Sequence, residues 1–123
     1  MVKAAENNEY SEARSVNEVR LRGRVSRVPT EVTLPSGDTL WTFRLIVDRP
    51  ASKRTRRGTA VDALECSAWT VRAQRAVSRW MPSDVVEVEG AVRRRFFRVG
   101  NGVSSRVEIE VTSARVIRRA GSA

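Results

Sequence analysis

From Asp84 to Val99 the chain reads DVVEVEGAVRRRFFRV, a run that alternates at period two almost from end to end. Val86, Val88, Gly90 and Val92 share one parity, while Glu87, Glu89, Ala91, Arg93, Arg95 and Phe97 share the other. Successive side chains of a strand point to opposite faces, so the valine row suits a core and the second row faces away from it. That outer row begins acidic and ends as two guanidinium groups followed by an aromatic ring. Cations beside a flat ring can grip a phosphate backbone and stack a base at the same time, so Arg93, Arg95 and Phe97 point to single-stranded nucleic acid.

Shorter alternating pieces fill most of the remaining chain. Val19, Leu21, Gly23 and Val25 interleave with Arg20, Arg22 and Arg24, a half-buried strand whose glycine allows a bend or a close approach. Thr30 to Leu34 reads as a short strand, and Leu34-Pro35-Ser36-Gly37-Asp38 as a hairpin turn. Thr39 to Asp48 returns with Trp41, Phe43, Leu45 and Val47 on one face and Leu40, Thr42, Arg44 and Ile46 on the other. Pro50, Gly58 and the run Lys53-Arg54-Thr55-Arg56-Arg57 then break the pattern as a charged loop. Ala60 to Trp69 alternates again, with Leu64, Cys66 and Ala68 inward and Glu65, Ser67 and Trp69 outward.

Val71 to Trp80 changes to helical spacing, with Val71, Ala73, Ala76, Val77 and Trp80 as the apolar stripe and Pro82 enforcing its end. Arg72, Arg75 and Arg79 form the wet side of that helix. Beyond the long strand, Gly100-Asn101-Gly102 turns the chain. Val103 to Val111 follows with Val107, Ile109 and Val111 inward, and Ala114 to Ile117 extends it.

With 123 residues, of which 41% are hydrophobic, the chain has material for one domain with one modest core. Its net charge is +9, and of 23 basic residues only Lys3 and Lys53 are lysine. Arginine's planar fork binds phosphate in two places and stacks on bases, which suits nucleic acid. No stretch approaches the roughly 18 apolar residues of a membrane span. The first fifteen residues carry Glu6, Glu9 and Glu12 and no apolar h-region, so a cytoplasmic, nucleoid-associated protein is expected. Cys66, the single cysteine, lies on an inward parity and reads as a reduced, buried thiol. There is no histidine, and no Gly-rich phosphate loop precedes the helix, so no catalysis, cofactor, metal or small-molecule substrate is expected. Glu87 with Glu89, and Glu108 with Glu110, read as carboxylates that balance neighbouring arginines.

Five strand segments, with one α-helix between the third/fourth-strand region and the final hairpin, predict an all-β, five-stranded OB-fold Greek-key barrel. In order and spacing the pieces resemble the bacterial single-stranded DNA-binding protein family, from about Asn17 to Ile117. The resemblance rests on Asn17-Glu18-Val19 leading to Gly23, and on Leu34-Pro35-Ser36-Gly37 ahead of Phe43-Arg44-Leu45. Further along it rests on Glu65 to Trp69 before the helix, Val86-Glu87-Val88-Glu89-Gly90 after it, and Val92-Arg93-Arg94-Arg95-Phe96-Phe97 beyond.

The resemblance implies that Trp69 and Phe97 stack bases. It also implies that Arg44, Arg93 and Arg95 contact phosphates; Arg54, Arg56 and Arg57, by the composition of their loop beside that face, are expected to track phosphates too. The implied partners are single-stranded DNA and other copies of the chain, a tetramer by family likeness or a dimer, in replication, recombination or repair. Ala63 and the arginine-bearing loop stand where two further stacking rings are expected. Arg118-Arg119-Ala120-Gly121-Ser122-Ala123 departs from the acidic tip of recruiting members, so an accessory paralogue is the expectation. The domain reading is a flexible arm over 1–15, the OB-fold over 16–118 and a short disordered tail over 119–123. Three questions stay open at this point. Arg20, Arg22 and Arg24 face either nucleic acid or a subunit; the ligand is DNA or RNA; and the barrel is a binder or a protein–protein adaptor.

Overall fold

The computed structural model describes residues 13–50 and 60–121. Arg54, Arg56 and Arg57, most of the expected N-terminal arm and the last two residues lie outside the described residues. Along the chain run β1 (Val19–Val25), β2 (Thr30–Thr33), β3 (Thr39–Asp48), β4 (Val61–Ala68), helix α1 (Val71–Val77), β5 (Val85–Val99) and β6 (Gly102–Arg118). Hydrogen bonding runs in the order β1-β5-β6-β4-β3, and a β1–β3 pairing closes the ring, with β2 attached outside it on β3. β4 and β6 are parallel and all other pairs antiparallel. This is the expected five-stranded OB-fold barrel. No helix of the described residues is long and apolar enough to cross a membrane.

Closure is short, resting on Arg24 opposite Ile46 and Val25 opposite Leu45. Two glycines admit the close approaches the barrel needs. A Cβ on Gly23 would sit 2.3 Å from the carbonyl oxygen of Ile46, and one on Gly90 would sit 1.9 Å from that of Glu110. Neither neighbour is a flexible side chain, so the backbone itself would have to move. Gly90→Ala is therefore expected to destabilise by about 1–3 kcal/mol, as overpacking does. Urea denaturation checks this, and an unchanged midpoint would contradict it.

β6 changes its inward parity. Glu89 faces Ser113 but Gly90 faces Val111, leaving Thr112 as an extra residue. Such a bulge bends the strand and reverses which parity points inward. Ile109 and Val111 therefore face the core before the bulge, and Ala114 and Val116 pack against it afterwards. Val107, expected inward, is exposed, because the β5–β6 ribbon there extends beyond the layer that would cover it.

The core gathers Val25, Phe43, Leu45, Cys66, Ala68, Val86, Val88, Ile109 and Val111 from the strands and Ala73, Val77 and Trp80 from the helical segment. Trp80 is 2% exposed and meets Phe43 edge-on, with ring centroids 5.1 Å apart. Burial pushes the Cys66 thiol up to about 12, with Glu65 and Glu108 adding to it, so the thiol stays protonated at neutral pH. Thr70 caps α1 by accepting the Ala73 N–H on its hydroxyl at 3.1 Å. The regular helix stops at Val77, three residues before the predicted end. Arg79 and Trp80 then donate to Ala76 and Val77, an i to i−3 tightening that turns the Trp80 indole inward. Val71 was expected on the apolar stripe but is exposed, since the first helical residue projects past the barrel end.

Asp84 holds the corner between α1 and β5. Its buried carboxylate accepts the backbone N–H of Met81 at 2.9 Å and of Ala120 at 2.8 Å, and the Arg119 guanidinium at 3.0 Å. Arg119 and Ala120, read from the sequence as the start of a disordered tail, are thus tied to the barrel. Burial alone would raise the Asp84 pKa, but the donors from Ala120, Met81 and Arg119 outweigh it and hold the carboxyl below its ordinary value. A depressed native pKa gives stability that is complete above the unfolded value, near 3.9, and is lost as pH falls through the native one. Asp84→Asn is expected to flatten this acid limb. Denaturant midpoints compared between pH 7 and pH 3 measure it, and an equally steep acid loss in the variant would contradict the assignment.

Candidate nucleic-acid interface

One outer wall of the barrel carries every described residue of the expected site. Register makes this plain, because directly paired residues of neighbouring strands share a face. Arg44 of β3 lies opposite Glu65 of β4, Ser67 opposite Glu110 of β6, and Arg93 of β5 opposite Glu108. Trp69 follows β4 on the parity of Glu65 and Ser67, and Arg95 and Phe97 follow Arg93 on β5.

Trp69 and Phe97 border a groove of about 430 Å³, also lined by Arg95, Phe96, Arg106 and Glu108 on one side and by Val32, Leu34, Leu40 and Thr42 on the other. Its lining combines the aliphatic Val32, Leu34 and Leu40 with three aromatic rings and two arginines. Leu40 is buried but stands outside the core cluster, so it belongs to this groove. Ser67 faces outward yet is fully buried, and its hydroxyl accepts the Trp69 indole N–H at 3.1 Å.

Arg95 sits over the Trp69 ring with its guanidinium carbon 4.8 Å from the centroid. It donates to Glu108 at 2.7 Å and to Glu110 at 2.8 Å. The Glu108 hydrogen bond comes first in raising the already high pKa of Arg95; partial burial opposes it, and Glu110 adds to the rise. Arg93 donates to Glu110 at 3.3 Å and Arg44 to Glu65 at 2.6 Å. Each described arginine of the expected site is therefore engaged with a carboxylate. Arg106, which the sequence reading did not select, lies 5.9 Å from the Phe97 ring centroid and has no carboxylate partner among the described residues.

Past Arg95 the β5–β6 ribbon stands clear of the barrel. Phe97 is 42% exposed and Phe96, on the other strand parity but still at the edge of the groove, 69%. Phe96 falls on the parity of the inward valine row, and no core reaches it there. Arg20, Arg22 and Arg24 do not line the groove. Arg22 joins Arg115 on the Glu87 carboxylate, at 2.8 and 2.9 Å, Arg24 pairs with Asp48 at 3.1 Å, and Arg20 lies opposite Glu89. Hydrogen bonds from Arg115 and then Arg22 hold the Glu87 carboxyl below its ordinary range.

Strand order and closure define the class as an OB-fold barrel, here with one aromatic and cationic outer wall. The chain belongs to the Single-strand binding protein family, whose model matches residues 16–117. Among solved structures it is similar to a Plasmodium falciparum SSB in complex with ssDNA, at 21% identity and a TM-score of 0.69, covering 85% of this chain and 96% of that one. No curated protein sequence matches.

Proposed function

We propose that the protein binds single-stranded DNA with little regard to sequence, by stacking bases on Trp69 and Phe97 within a positively charged field. The observation that carries this reading is the meeting of the half-buried Trp69 ring and the exposed Phe97 ring with Arg95 and Arg106 in one groove, on the outer wall of a family OB barrel. Each base has a flat face that an aromatic ring accepts, so such a platform is tolerant of sequence. Arg44, Arg93 and Arg95, with Arg54, Arg56 and Arg57, contribute to the field that draws the phosphate backbone. The family match supports a homo-oligomer acting in replication, recombination or repair.

The test is a fluorescence titration with oligo-dT across a series of salt concentrations. Affinity is expected to fall with a log–log slope of about −0.7 per phosphate contacted. Weak, length-independent binding without salt dependence would instead identify a protein–protein adaptor. Competition between matched DNA and RNA strands decides the sugar. Light scattering with and without a long oligonucleotide gives the number of subunits.

A further inference from the structure

We infer that Arg95 is a positioning residue of the Trp69 stacking platform, and that the phosphate beside Phe97 is taken by Arg106. The inference rests on the single-strand reading of the groove and assigns different tasks to its two arginines.

Arg95 is held from three sides. Its guanidinium covers one face of the Trp69 indole, while Glu108 and Glu110 each accept one of its donors. The indole in turn is fixed at its N–H by the buried Ser67 hydroxyl. Glu108 is only 6% exposed, so drawing Arg95 away toward a phosphate would leave a buried carboxylate unpaired, which is strongly unfavourable. A phosphate placed against Arg95 would also face two carboxylates of its own sign. Seated where it is, Arg95 keeps the ring in one orientation before any base arrives, and preorganisation of this kind lowers the cost of binding.

Arg106 has the opposite character. It lies directly across the ribbon from Arg95 in register, yet its guanidinium stands over Phe97 and shares neither carboxylate that neutralises Arg95. Of the two, Arg106 is exposed and has no carboxylate partner among the described residues. Its position over Phe97 places a phosphate contact within reach of a base stacked on that ring.

The experiment compares the wild type with Arg95→Gln, Arg95→Lys, Arg106→Gln and Arg106→Lys in oligo-dT titrations at several salt concentrations, with acrylamide quenching of the DNA-free proteins alongside. Arg106→Gln is expected to make the salt slope shallower by about 0.7, with Arg106→Lys restoring it, since a lysine still neutralises a phosphate. Both Arg95 variants are expected to keep the wild-type slope, bind several-fold more weakly and leave tryptophan more open to acrylamide. Lysine does not restore Arg95, because it lacks the planar fork that stacks and bridges two carboxylates. A slope loss in Arg95→Gln that Arg95→Lys repairs, with Arg106→Gln unchanged, would overturn the assignment while leaving DNA binding intact. If the wild type itself binds no oligo-dT, the functional reading fails. The acrylamide comparison would even then decide whether Arg95 holds the indole.

Discussion

Trp80→Ala is expected to lower stability by about 3–5 kcal/mol, the range for removing a large buried aromatic side chain. The indole is almost wholly inside, closes the helix end of the barrel and meets Phe43 edge-on. Its removal takes away apolar burial and the aromatic contact together, and the strands around it have little freedom to collapse into the gap. Set against the roughly 5–15 kcal/mol that keeps a domain folded, this is a severe loss. The melting temperature should fall by roughly 10–25 °C, on the usual scaling for domains near this size. A Trp80→Ala protein that melts within a few degrees of the wild type would mean that another residue closes the barrel. Thermal denaturation followed by far-UV circular dichroism measures it.

The barrel was legible because alternation leaves little choice. Val19–Val25, Thr39–Asp48 and the long β5 each present one apolar row, and the structure buries or half-buries those rows except at Val92, which is exposed, and on the far ribbon. The exceptions have physical causes. Val107 and Phe96 obey strand parity but lie where the hairpin outruns the core, and alternation states which side a residue faces without stating whether anything covers it. Nothing local in Val111-Thr112-Ser113-Ala114 announces the bulge, which depends on how β6 must bend to follow β5. The Asp84 clamp joins residues far apart in sequence, so the tie of Arg119 and Ala120 to the barrel was not legible.

The site was partly legible for the same reason. Parity put Trp69, Arg93, Arg95 and Phe97 on one outer face, and the groove is lined by Trp69, Arg95 and Phe97 but not by Arg93 or Arg44. What parity could not reveal was who partners whom. The register of the last hairpin was available in principle, since counting outward from Val99 opposite Gly102 puts Arg95 across from Arg106 and Arg93 across from Glu108. That count would have picked out Arg106. The diagonal reach of Arg95 to both Glu108 and Glu110, and its stacking on a ring from β4, depend on strand twist and closure. Those belong to the assembled barrel rather than to any segment of it.

The joint replacement Trp69→Ala with Phe97→Ala is expected to weaken oligo-dT binding by about 2–6 kcal/mol, at about 1–3 kcal/mol for each stacked base. At 1.4 kcal/mol for each tenfold, that is a loss of between about 30-fold and about 20,000-fold. Both rings lie on the groove wall outside the core cluster, so the barrel should still fold and melt as one unit. The salt slope should change little, because neither ring carries charge, and this separates lost stacking from lost electrostatics. The two single variants are not expected to add simply. Removing Trp69 also frees the face of Arg95, and residues that share partners in this way commonly couple. If the joint variant binds as tightly as the wild type at every salt concentration, the strand runs over some other surface and the groove is not its site.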